Sequence, residues 1–66
     1  MKSPLEKQGE SDEERIKRLL SFGSIQECVI EANYWVAGYI REDWDLEPLS
    51  VATELLTRAQ QLLGGL

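Results

Sequence analysis

The chain has 66 residues and a formal net charge of −5, from 12 acidic and 7 basic side chains, so it makes one small domain at most and lacks the basic stripe that phosphate binding demands. One cysteine and no histidine exclude an intrachain disulfide and a zinc cluster. No stretch nears the roughly 18 apolar residues of a membrane span and residues 2–15 hold no signal-like apolar core, so with a single thiol the expectation is a cytoplasmic chain.

Residues 1–10 (MKSPLEKQGE) contain Pro4, Gly9 and one large aliphatic residue, Leu5. Such a segment buries too little to offset its ordering entropy, and it reads as a disordered tail, with Leu5 as the residue through which it could dock. A first helix is expected over 11–22. Ser11 and Glu14 have the spacing of a capping box. Glu13 with Lys17 and Glu14 with Arg18 are ion pairs in the favourable i, i+4 order. Ile16, Leu19, Leu20 and Phe22 supply its buried face, and Gly23 stops it.

A second helix is expected over 24–42. Ser24 and Glu27 repeat the capping box, so two helices meet at a tight corner around Gly23. At about 100° per residue, Ile25, Cys28, Val29, Ala32, Trp35, Val36, Tyr39 and Ile40 fall in one broad sector. Ile30, Tyr34 and Ala37 form a second apolar strip, and Glu27, Glu31 and Glu42 form the polar wedge. A helix apolar on most of its circumference is buried or meets two partners.

Residues 43–47 form an acidic connector, and Pro48 suits the first position of a third helix, expected over 48–63. One side of that helix carries Leu49, Val51, Ala52, Leu55, Leu56, Ala59, Leu62 and Leu63. Nothing alternates with period two. The expected fold is therefore all-α: a disordered tail over 1–10, then a single helical domain over 11–66. In it a short N-terminal helix precedes an antiparallel helical hairpin that dimerises into a helical bundle.

Three patterns resemble chemistry and fall short of it. Asp43, Asp45, Glu47 and Glu54 match positions 1, 3, 5 and 12 of a calcium loop, but Pro48 stands where the turn needs glycine. Cys28 lies on the apolar face with no basic neighbour one turn away, so it reads as a small core residue and not an activated thiolate. Leu63-Gly64-Gly65-Leu66 reads as a helix stop with a terminal leucine anchor. No cofactor or metal is expected.

The chain therefore reads as a non-catalytic protein–protein interaction module, a homodimeric adaptor or regulatory protein whose partner is itself or another protein. Ile30, Tyr34, Ala37, Trp44 and Leu66 are its candidate interface, because aromatic anchors dominate binding hot spots. One alternative is an obligate small subunit or chaperone-like cofactor. Another is an acidic inhibitor that mimics nucleic acid through Glu27, Glu31, Glu42, Asp43 and Asp45. A helix-turn-helix role ranks below these, since the second helix is too apolar and acidic for a major groove.

Overall fold

The computed structural model describes residues 3–40 and 46–64. Among them the chain is all-helical: α1 Asp12–Phe22, α2 Ile25–Ala37, a 3-10 turn Gly38–Ile40, and α3 Pro48–Gly64, with no strand.

Local sequence chemistry sets the helix starts. Ser11 accepts from the Glu14 amide and Glu14 accepts from the Ser11 amide, a complete capping box. Ser24 and Glu27 do the same for α2. The amide hydrogen bonds from Ser24 hold the Glu27 carboxyl below its usual range. At α3 the cap is Glu47, whose carboxylate accepts from the Ser50 amide at 2.8 Å and the Leu49 amide at 3.3 Å. Its place at the helix start also suits the positive end of the dipole.

Gly23 joins α1 to α2 in extended geometry, with φ −70° and ψ 150°. Its glycine is required by space and not by handedness, because a Cβ there would stand 2.6 Å from the Leu19 carbonyl oxygen. The second helix is shorter than expected. It ends at Ala37, and the backbone tightens into the 3-10 turn at Gly38. Glycine costs about 1 kcal/mol in a helix interior, and 3-10 turns commonly finish helices.

The core takes Ile16 and Leu19 from α1, Cys28, Ala32 and Trp35 from α2, and Val51, Ala52, Leu55 and Ala59 from α3. Cys28 is buried, its thiol donates to the Leu19 carbonyl at 3.7 Å, and burial pushes its pKa up. Several residues expected in the core are exposed instead. Phe22 is 87% exposed, and Val29, Val36, Tyr39, Leu49, Leu56 and Leu63 also face outward. The α1 helix packs on both α2 and α3, and these side chains lie outside the core the three helices share.

The N-terminal segment also departs from expectation. Residues 3–10 are not a free tail: Ser3 is buried and Leu5 packs against the core. Two turns close through Glu6 N–H to Ser3 O and Glu10 N–H to Lys7 O, with Gly9 at φ +79°. Electrostatic ties supply what apolar burial lacks. Arg18 donates to Glu10 at 2.8 and 3.0 Å and to the Leu5 carbonyl at 2.9 Å. The expected Glu14–Arg18 pair is replaced by these bonds, since Glu14 is committed to the Ser11 cap. The exposed Glu13–Lys17 pair is present at 3.7 Å.

The Arg18 hydrogen bonds hold the Glu10 carboxyl down at about 2, against 4.5 for the unperturbed group. The folded pKa is the lower one, so this contribution to docking is complete above pH 4.5 and is lost as pH falls through about 2. An NMR titration should place the Glu10 carboxyl midpoint near 2 and return it towards 4.5 in Arg18→Gln. A wild-type midpoint at 4.5 would contradict the docked segment.

Candidate interaction surface

Two side chains that look destined for solvent meet in the interior. The side chains of Arg15 on α1 and Glu31 on α2 are both 0% exposed. Arg15 Nε donates to Glu31 Oε2 at 2.6 Å. The same carboxylate accepts from Trp35 Nε1 at 2.8 Å and from the Ser3 hydroxyl. Arg15 Nη1 reaches Glu6 at 3.2 Å, and Nη2 lies 2.8 Å from Asp12 Oδ1 as an ion pair. The guanidinium also sits 5.5 Å from the Tyr34 ring centre. Burial opposes the arginine charge, but the hydrogen bonds and charges of Glu31 and Asp12 outweigh it and raise the Arg15 pKa.

This cluster corrects one expectation directly. Glu31 is not part of an acidic surface; Arg15, Trp35 and Ser3 draw it inside. Glu27, a half-exposed residue, is occupied by the α2 cap. Glu42, Asp43 and Asp45 lie outside the described residues.

The expected interface residues are distributed differently. Ile30 and Tyr34 are half-buried and Ala37 is exposed. Tyr34 packs against the core and edge-on to Trp35, with ring centres 5.7 Å apart. Burial raises its hydroxyl pKa. Trp44 and Leu66 lie outside the described residues.

The larger apolar surface is elsewhere, on α2 and α3. Val29 and Val36 are spaced by seven on α2, and Leu49, Leu56 and Leu63 by seven on α3. On a helix such residues share one stripe. The α1 side of the pair is fixed by Arg15 against Glu31, and by a shallow pocket that Ile16 and Leu20 line together with Val51 and Glu54. On each helix the stripe lies across the core residues from those that meet α1. The next residues outward are Gln26, Asn33 and Ala37 on α2 and Thr53 and Gln60 on α3, and at one end of the α3 stripe Leu49 and Thr53 line a shallow pocket with Glu47 and Glu54. Sequence reading placed both stripes in the core because they adjoin it; the signal against that was a sector too wide for one neighbour.

Among the described residues, no group of three or more His, Cys, Asp or Glu side chains is arranged to hold a metal. No helix there is long and apolar enough to cross a membrane.

Removing one partner of a buried charge pair typically costs about 3–5 kcal/mol, comparable to the whole stability of a domain this size. Arg15→Met should therefore abolish the cooperative unfolding transition in denaturant, and Ser3→Ala should lower stability by about 1 kcal/mol. Adding Glu31→Gln to Arg15→Met, which removes the unpaired buried charge and keeps an acceptor for Trp35 and Ser3, should recover part of the loss. A fully stable Arg15→Met protein would contradict the geometry.

Comparison with protein-family models, with curated proteins and with solved structures finds no match to this chain.

Proposed function

We propose that the chain is a non-catalytic helical interaction module that works as a homodimer, in an adaptor or regulatory role. One observation carries this reading: a domain of 66 residues leaves aliphatic stripes on two neighbouring helices exposed. Exposed apolar patches rimmed by polar residues mark interaction sites, and covering them adds stability that a core this small lacks. Glu31 accepts from Arg15, Trp35 and Ser3, and Glu27 and Glu47 cap helices. The buried single thiol accords with a reducing, cytoplasmic setting.

Sedimentation across a concentration series tests the reading. The expected result is a species near twice 7.5 kDa that dissociates only on dilution. A monomer at every concentration would overturn it. Insoluble or molten isolated protein that becomes soluble with a stoichiometric partner would instead favour an obligate subunit.

A further inference from the structure

We propose that residues 3–10 are an autoinhibitory strap: with the chain's own carboxylates they fill a site on α1 that takes an acidic peptide of another protein when the strap opens. The site is separate from the stripes of α2 and α3, so it gives the chain a second surface and does not depend on dimerisation.

The strap is held as a bound peptide is held. Beyond its two turns it packs one large aliphatic side chain, Leu5, against the core, and its other ties are polar. Glu6 accepts from Arg15 Nη1 at 3.2 Å, and Glu10 accepts from Arg18 at 2.8 and 3.0 Å. The Leu5 carbonyl takes a further bond from Arg18 at 2.9 Å. Among the described residues, every hydrogen-bond partner of Arg18 therefore belongs to the strap. When the strap leaves, Arg18 has no acceptor, and Arg15 keeps Glu31 and Asp12 but loses Glu6. A peptide with an aliphatic residue followed directly by a carboxylate, and a second carboxylate four residues later, remakes the same bonds.

Such a strap is exchangeable. Part-exposed ion pairs add little net stability, and the Arg18 side chain is already 24% exposed. A tethered segment still competes at an effective concentration on the order of mM, so an outside peptide meets a mostly closed site in the wild type. Ser3 is the latch. It is buried, and its hydroxyl donates to Glu31 and accepts from the Leu5 amide at 3.1 Å. Around it Arg15 already faces the carboxylates of Glu31, Glu6 and Asp12. A negative charge added at Ser3 meets Glu31 with no free cation to balance it, and the strap is expelled.

Ser3→Glu and Glu10→Ala open the strap from opposite ends of the full chain. The probe is a fluorescent peptide of residues 4–10, PLEKQGE, with a control in which both of its glutamates are glutamine. The expected result is retained helicity and binding at least ~10-fold tighter than wild type in both variants, lost again when Arg18→Gln is added, with the control unbound. In Ser3→Glu the Glu10 carboxyl midpoint should also rise from about 2 towards 4.5. If that midpoint stays near 2, the segment does not open as a unit and the latch is wrong. If the opened variants bind the peptide no better than wild type, or bind the control equally, the segment is only part of the fold and the proposal falls. If they gain mass by exchanging straps, the occupant is a second copy and the assignment to another protein is overturned. If Ser3→Glu loses its helicity, Glu10→Ala decides by the same binding criterion.

Discussion

The arrangement of the helices depends on one buried ion pair. Arg15 and Glu31 come from different helices, 16 residues apart, and neither side chain touches solvent. Hydrophobic replacements of such pairs are often neutral or stabilising, so net stability is a poor account of their presence. Here the pair fixes register. An α1 rotated by one residue would leave a guanidinium and a carboxylate buried without each other, and the wrong packing would be strongly disfavoured. Trp35, Ser3, Glu6 and Asp12 complete the network, which extends to the segment before α1. A buried network of this kind stabilises only when its members are satisfied together.

Fixing α1 on one side decides what the other side can be. The ion pair and the Ile16–Leu20 contact cover one edge of α2 and α3. Among the described residues no further helix covers the exposed stripes of α2 and α3. The stripes on α2 and α3 are aliphatic, and apolar surface is costly to leave in water. Architecture and proposed association thus follow from the same choice: the charged network places α1 and leaves the aliphatic stripes uncovered.

Much of the fold was legible in the chain because local signals agreed. Two S-x-x-E boxes, Gly23 between them and Pro48 after an acidic connector set the helix starts to within a residue. The end of α2 was less legible, because the apolar pattern runs past Gly38 and only the glycine argues for stopping. The polar cluster was harder still, since no spacing rule links residues 15 and 31. Position gave a clue: Arg15 lies one turn before Leu19, and Glu31 between Cys28 and Trp35, so both stand on faces that become buried. The uncovered stripes were legible as apolar but not as exposed. Exposure depends on where α1 packs, and that follows from the ion pair. Ile30, Tyr34 and Ala37 were the natural interface choice for a helix viewed alone; Tyr34 is instead drawn towards Arg15 and Trp35.

The most direct test is an isotope-filtered NOE experiment on a mixture of labelled and unlabelled protein, which reports only contacts between copies. The account predicts intermolecular cross-peaks among the methyls of Leu49, Leu56 and Leu63, with Val29 and Val36 alongside. Cross-peaks centred on Ile16 and Leu20, or on Ile30 and Tyr34, would contradict it.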